Sequence, residues 1–105
     1  MTDHAKPVVV DVAAVLARES QAPRAITEQV RGVLEEGAHY VLLNMVNITY
    51  ADSLVLGAIM QAYASAISRG ATLKLLNASY RVRQLLAITK LDKVIQTVDT
   101  NRELP

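Results

Sequence analysis

The segment from Tyr40 to Met45 is apolar along almost its whole length, apart from Asn44. A strand with one face in water alternates apolar and polar side chains, whereas an unbroken apolar run is typical of a strand covered on both faces. Such a strand needs a neighbour on each side and helices packed against it. The run therefore predicts the interior strand of a sheet in an α/β domain.

Three other segments carry apolar residues at the spacing of one helix face. We expect helices over Ala22–Glu36, Ser53–Arg69 and Ser79–Ile88. Ser20 is expected to cap the first helix, and Gly37 to end it in a left-handed conformation. The side chains predicted to pack against the sheet are Ile26, Val30, Leu34, Ile59, Met60, Ile67, Leu85 and Leu86, with Ile88 also turned inward.

Further strands are expected before, between and after these helices, at Val8–Val12, Ala71–Leu76 and Lys93–Val98. Ala13–Ala17 is expected to form another strand, paired to the first. Strands and helices thus alternate, which predicts an α/β fold with a small parallel or mixed β-sheet and helices packed against it. With 105 residues, the chain (1–105) is predicted to be a single domain.

The composition argues against several classes of protein. There is no cysteine, the formal net charge is +1, and 51% of the residues are hydrophobic. These values exclude disulfide scaffolds and disfavour nucleic-acid binding. No segment is long enough to insert into a membrane and no signal peptide is recognised, so we expect a cytoplasmic protein. The basic residues Arg81, Arg83, Lys90 and Lys93 are interpreted as a solvated helix face rather than a phosphate or RNA surface.

The motifs of catalysis and of cofactor binding are missing from the sequence. His4 and His39 lack a second ligand at useful spacing, so no metal site is expected. Ser53 lacks the G-x-S-x-G context of a hydrolase nucleophile, and the four glycines form no phosphate-binding loop. We therefore expect neither enzyme activity nor a cofactor.

Asp52 and Ser53 lie at the junction between the predicted central strand and the following predicted helix. Either side chain can accept hydrogen bonds from the free N–H groups of the first helical turn, so a purely structural role as helix cap is one interpretation. The other is functional, because a phosphate on Ser53 would lie at the positive end of the helix while Asp52 repels it. Both interpretations remain open on these residues alone.

Two segments carry a family resemblance: NMVNITYADSLVLGAI, which spans the junction, and RGATLKLLNASYRVRQLLAITKLDKVI, which begins just before the predicted strand Ala71–Leu76. The first is similar to the Asp-Ser-Ser/Thr-Gly-Leu-Gly signature of the STAS domain (sulphate transporter and anti-sigma factor antagonist). The second is similar to that family's Asn-x-Ser-Pro-x-Val-x-x-Leu-Leu-x-x-Thr-Gly-Leu run. The residues that match in register are Asp52, Ser53, Leu56, Gly57, Gly70, Asn77, Ser79, Val82, Leu85, Leu86, Thr89 and Leu91. The resemblance covers roughly residues 20–98.

The resemblance implies a bacterial, cytoplasmic anti-sigma factor antagonist that regulates transcription without catalysing a reaction. Its partners would be an anti-sigma factor that is also a serine kinase, and a phosphatase. Carried over by position, Ser53 is the candidate phosphoacceptor and Asp52 its supporting acid. We expect the partner to bind at Leu54, Val55, Leu56, Gly57 and Ala58. Self-association is left open.

Two departures from the signature favour an alternative. Leu54 replaces the family's second hydroxyl residue and Val55 replaces its first glycine. Branched side chains there form an apolar surface at the start of the helix, which suits docking to a fixed partner. The alternative is therefore a STAS interaction module of a scaffold or transporter complex that is not phosphorylated.

Overall fold

The structure is a computed structural model that describes residues 6–18, 22–49 and 51–100. The elements in chain order are β1 (Val8–Asp11), α1 (Val12–Arg18), α2 (Arg24–Glu35), β2 (Tyr40–Asn44), α3 (Ser53–Ser68), β3 (Thr72–Leu76), α4 (Tyr80–Ile88), a single 3₁₀ turn (Leu91–Lys93) and β4 (Thr97–Val98). Within the described ranges, none of the helices combines the length and apolar character that crossing a membrane requires.

The four strands form one sheet in the order β1-β2-β3-β4, and the three strand pairs in this order are parallel. β2 and β3 lie inside the sheet, so the predicted central strand at Tyr40–Met45 is confirmed, with its last ladder residue at Asn44. Because the strands run in the same direction, their carboxyl ends meet at one edge of the sheet. The segments that lead into α3 and α4 both leave from this edge.

The helices pack on one face of the sheet and build the main core there. Val41 and Leu43 of β2 point into this core and are fully buried, together with residues from all four helices. Leu42, between them in sequence, points to the opposite face, where it packs with Leu76 and Val98 and is also fully buried. Burial on both faces is the physical reason why β2 shows no alternation of apolar and polar residues.

Two glycines allow the chain to turn sharply after a helix. Gly37 follows α2 with φ of 104°, and Gly70 follows α3 with φ of 72°. Both values lie in the left-handed region that side chains with a Cβ atom avoid. The predicted left-handed end at Gly37 is therefore confirmed.

The segment Ala13–Ala17 is the clearest departure from the predicted elements, because it is part of α1 and not a strand. Val12 and Val15 are buried at a spacing of three residues, which places them on one helix face. The Asp11 carboxylate accepts a hydrogen bond from the Ala14 N–H at 3.3 Å and so helps start this helix. Alanine has the highest intrinsic helix propensity, and here it decides the outcome.

Several predicted core positions are also wrong or only partly right. Ile67 is 51% exposed and Ile88 is 78% exposed. α4 buries Val82 and Leu86, and Ile88 follows Leu86 by two residues, which turns it about 200° away from the core. Met60 and Leu85 are only partly buried against the core.

The start of α2 and the end of the chain differ in detail from the prediction. Ser20, the predicted cap of α2, lies outside the described residues, and Pro23 occupies the position before the helix without a side-chain cap. The predicted strand at Lys93–Val98 is shorter, because a 3₁₀ turn ends at Lys93 and only Thr97–Val98 pairs with β3.

Candidate functional site

Asp52 is the residue that caps α3. Its backbone is extended, with φ of −98° and ψ of −175°, and its carboxylate accepts a hydrogen bond from the Val55 N–H at 3.0 Å. This is the standard geometry of an N-terminal cap, in which a side-chain oxygen pairs with an N–H group two or three residues into the helix. Asp52 therefore has a structural role that its exposed position would not by itself suggest.

Ser53 is the first residue of α3 and is exposed. Its hydroxyl makes no hydrogen bond with any part of the chain that the structure describes, since the cap comes from its neighbour. The sequence left open which of the two residues caps the helix. The structure assigns the cap to Asp52 and leaves the Ser53 hydroxyl accessible from solvent.

Ser53 lies between two open grooves. The first, called here the α3–α4 groove, is lined by Ala51, Asp52, Ser53, Leu56, Tyr80, Arg81, Gln84, Leu85, Ile88 and Thr89. The second, the α2–α3 groove, is lined by Ala22, Pro23, Arg24, Ser53, Leu54, Gly57, Ala58 and Gln61. The parallel sheet explains this arrangement, because it brings the N-terminal ends of successive helices to the same edge.

The five residues predicted to bind a partner differ in how accessible they are. Leu54 is 68% exposed, Gly57 is exposed and Val55 is half-buried against the core. Leu56 and Ala58 are only 7% and 6% exposed and belong to the core, and each also lines one of the two grooves. They point inward because a helix that packs on a sheet must bury part of each turn. Their side chains therefore offer a partner little accessible area, and their role in binding stays a prediction.

Sequence reasoning missed the contribution of α4. Tyr80 and Ile88 are 74% and 78% exposed, and both line the α3–α4 groove. Ser79 caps α4 by accepting a hydrogen bond from the Val82 N–H at 3.2 Å. The available signal was Ile88, which continues the apolar pattern of α4 but lies off the buried face.

The predicted basic cluster divides into two kinds of residue. Arg81, Lys90 and Lys93 are exposed, as expected. Arg83 is not simply solvated, because its guanidinium donates hydrogen bonds to the Ala78 carbonyl at 3.0 Å, to the Thr97 hydroxyl at 2.8 Å and to the Asp99 carboxylate at 2.8 Å. This side chain joins α4 to β4 and to the residue that follows it. The interpretation of the whole cluster as a solvated face is therefore wrong for Arg83.

The fold is similar to that of known structures. The solution NMR structure of the protein TM1081 superposes with a TM-score of 0.71 at 21% identity, covering 92% of this chain and 77% of the other. The crystal structure of "a putative anti-sigma factor antagonist (tm1081)" from Thermotoga maritima gives a TM-score of 0.65 at 18% identity, covering 87% of this chain and 77% of the other. At these identities the similarity establishes the fold.

The sequence comparisons establish the family. A Thermotoga neapolitana protein named "Putative anti-sigma factor antagonist TM1081 homolog" is 33% identical over 70 residues, which is 67% of this chain. The chain spans 62% of the length of that relative. The sequence model of the STAS domain matches residues 20–104, and these include the capped junction, both grooves and the whole of β2 to β4. The chain belongs to the STAS domain family.

Proposed function

We propose that this protein is an anti-sigma factor antagonist that binds an anti-sigma factor through the N-terminal end of α3, and that phosphorylation of Ser53 breaks the complex. It acts in the cytoplasm on transcription and catalyses no reaction itself. The observation that carries the proposal is the exposed Ser53 hydroxyl at the first position of α3, beside a capping Asp52 and between two grooves. Membership of the STAS family and the name of the Thermotoga neapolitana relative support the choice of partner.

The surface around Ser53 suits a contact with another protein. Leu54 and Tyr80 place apolar surface in water on either side of the serine, without any neighbouring residue that covers them among those described. Apolar side chains that are exposed together are typical of binding surfaces. The polar rim needed for specificity is available from Arg24, Gln61 and Gln84.

Gly57 adds an independent argument for this surface. A glycine inside a helix costs stability relative to alanine, by roughly 0.5–1 kcal/mol. Outside its own stretch of helix, a Cβ atom added to Gly57 would meet no atom of the described residues within 4 Å, and the φ of Gly57 is not positive. The described part of the fold therefore does not require a glycine here. Unlike Gly32, Gly57 lines the α2–α3 groove, where a glycine would let a partner backbone approach α3 closely.

Phosphorylation would act on this surface by a simple electrostatic route. A serine kinase would transfer the terminal phosphoryl group of a nucleoside triphosphate to the Ser53 oxygen, releasing the diphosphate and the hydroxyl proton. The product carries about 1.5 to 2 negative charges at neutral pH. Burying this charge beside Asp52 in an apolar contact is costly unless the partner supplies a cation. A phosphatase would restore the binding state by hydrolysis.

The switch is tested by calorimetry with each purified anti-sigma factor of the source organism. Ser53→Ala should bind as the wild type does, while Ser53→Asp should bind at least about tenfold more weakly, which corresponds to roughly 1.4 kcal/mol. Ser68→Asp is the matched control, because it adds the same carboxylate to an exposed serine at the other end of α3. Equal affinity of Ser53→Asp and Ser68→Asp would contradict the proposed switch.

The binding surface is tested separately with a pair of glycine variants. Gly57→Ala should raise the free energy of unfolding by roughly 0.5–1 kcal/mol and yet weaken binding. Gly32→Ala, in α2, also adds a Cβ atom with no neighbour within 4 Å and should give the same gain in stability with unchanged binding. Weaker binding by Gly57→Ala together with equal binding by Ser53→Asp would favour the phosphorylation-independent module. Unchanged binding by Gly57→Ala would place the partner elsewhere.

A further inference from the structure

The first turn of α4 has an unusual distribution of charge. Its residues Tyr80 to Arg83 include two arginines and no acidic residue. The N-terminal end of a helix is the positive end of its dipole, so acids are favoured there and cations are disfavoured. Residues that break such a local rule need a compensating interaction or a functional reason.

Arg83 has its compensation within the chain. Its guanidinium pairs with the Asp99 carboxylate at 2.8 Å. Arg81 makes no comparable contact with the residues that the structure describes, and it is exposed. It lines the α3–α4 groove, on the wall opposite to Ser53. The first turn of α4 therefore has one cation for which the described part of the fold supplies no anion.

The groove itself is poor in negative charge. Asp52 is the one acidic residue in its described lining, and that carboxylate already accepts the Val55 N–H as the cap of α3. The N-terminal ends of α3 and α4 both contribute to the lining, because β2 and β3 are parallel neighbours. The groove therefore contains two positive helix ends and the Arg81 guanidinium, while its one described acid, Asp52, is already paired with the Val55 N–H.

We propose that Arg81 is the residue that binds the phosphoryl group carried by Ser53, with its guanidinium pairing with the phosphoryl oxygens across the α3–α4 groove. This inference rests on the proposed phosphorylation of Ser53 and adds how the modified state is held. Arginine suits the role because its planar fork of N–H donors matches phosphate oxygens in a bidentate pair. Leu56 and Leu85 line the same groove, so an ion pair across it also changes the surface that the groove offers to the partner.

Arg24 is the competing cation, because it lines the α2–α3 groove on the other side of Ser53. Its guanidinium already lies 4.0 Å from the Glu28 carboxylate one turn further along α2. Both side chains of that pair are exposed, so the contact itself holds Arg24 only weakly. Asp52 adjoins Ser53 and repels a phosphate in either direction, so the additional Glu28 carboxylate on the Arg24 side is the difference that favours Arg81.

The test uses the full 105-residue chain with phosphoserine introduced at position 53 during translation, so that no kinase is needed. The pKa of the second phosphate ionisation, ordinarily about 6, is measured by phosphorus NMR titration. A nearby cation favours the dianion and lowers this pKa. We expect the pKa to rise by about half a unit in Arg81→Gln and to return most of the way to the wild-type value in Arg81→Lys.

Arg24→Gln is the matched control, since it removes the same charge from the other side of Ser53 and should change the phosphate pKa by less than about a third as much. The Arg81 Nε–H resonance should also shift when the phosphoserine chain replaces the unmodified one, and inorganic phosphate added to the unmodified chain should not reproduce this shift. Equal phosphate pKa values in the wild type and Arg81→Gln, or a larger change in Arg24→Gln, would overturn the proposal. A resonance shift caused equally by free phosphate would show an anion site that does not depend on Ser53 and would likewise overturn it.

Because the titration involves no partner, its result separates this inference from the proposed function. If the phosphate pKa depends on Arg81 but the phosphoserine chain still binds the anti-sigma factor, the ion pair is supported and the switch is contradicted. If the phosphoserine chain loses binding but its phosphate pKa does not depend on Arg81, the switch is supported and the ion pair is contradicted.

Discussion

Asp52 and Ser53 are adjacent exposed residues with different functions in the structure. Asp52 holds the first turn of α3 through the Val55 N–H, while the hydroxyl of Ser53 makes no such bond with the described residues. An acid at the positive end of a helix is also favoured by the helix dipole. The cap of α3 therefore does not depend on the Ser53 hydroxyl.

This division predicts unequal effects on stability. Asp52→Ala should lower the free energy of unfolding by about 0.5–2 kcal/mol, because the Val55 N–H loses its partner. Asp52→Asn should recover most of the loss, since asparagine also caps well. Ser53→Ala should change stability by less than about 0.5 kcal/mol, as is usual for exposed positions.

Urea denaturation followed by circular dichroism measures these differences. Ser53→Ala is the control within the same turn, because it removes an oxygen atom that does not cap the helix. A larger loss for Ser53→Ala than for Asp52→Ala would mean that the serine caps α3 in solution.

The sequence could not decide between the two residues, because both types are favoured caps and either would suit the junction. What decides is the backbone. The backbone of Asp52 is extended and that of Ser53 is already helical, so it is the Asp52 carboxylate that accepts a hydrogen bond from the Val55 N–H, three residues further along the chain. The same limit applies to Leu56 and Ala58, whose burial depends on how α3 is rotated against the sheet.

At the scale of elements, β4 forms a short ladder that side-chain hydrogen bonds supplement. It pairs with β3 through only two residues, Thr97 and Val98. Arg83 donates hydrogen bonds to Thr97 and Asp99. The side-chain amide of Asn77 donates to the Thr100 hydroxyl at 2.8 Å, and the side-chain carbonyl of Asn77 accepts from the Thr100 N–H at 3.1 Å. These contacts compensate for the short ladder.

A double-mutant cycle on Arg83→Gln and Asp99→Asn tests this interpretation. The two side chains are 36% and 33% exposed, so solvent screens the pair, and we expect a coupling energy of about 0.5–1 kcal/mol. Arg69 and Glu35 serve as the control pair. The Arg69 guanidinium lies 3.9 Å from the Glu35 carboxylate, the two side chains are 45% and 66% exposed, and their coupling energy should be near zero.

Amide hydrogen exchange gives a second measurement of the same contacts. The N–H groups of Leu75 and Asn77 donate to carbonyls of Gln96 and Val98, at 2.9 and 2.8 Å. In Arg83→Gln both should exchange faster, because β4 detaches locally more often. The Thr72 N–H, which donates to the His39 carbonyl at 2.9 Å, should be unaffected. Unchanged exchange at Leu75 and Asn77 would show that the ladder alone holds β4.

For the molecule as a whole, the parallel sheet creates the site. It brings the N-terminal ends of α3 and α4 to one edge of the sheet. Ser53, the first residue of α3, lies there between α2 and α4. The grooves on either side are made of residues far apart in sequence, such as Pro23 and Gln61, or Asp52 and Thr89. A local pattern carries no information about such distant neighbours.

The sequence by itself determined the α/β class, the central strand at β2, the three longer helices and the Asp-Ser junction before α3. These follow from local rules, namely apolar periodicity, glycine at left-handed positions and capping residues at helix starts. The resemblance to the family signature added Ser53 as a candidate phosphoacceptor, because the signature is a short run of residues at the same junction between a strand and a helix.

The tertiary structure decided what depends on packing between distant segments. It turned Ile67 and Ile88 outward and placed Leu56 and Ala58 in the core. It also separated Arg83, bound to Asp99, from Arg81, exposed across the groove from Ser53. The physical reason is that periodicity fixes which residues share a helix face, while the rotation of that face and the neighbours it meets are set by the other elements packed against it.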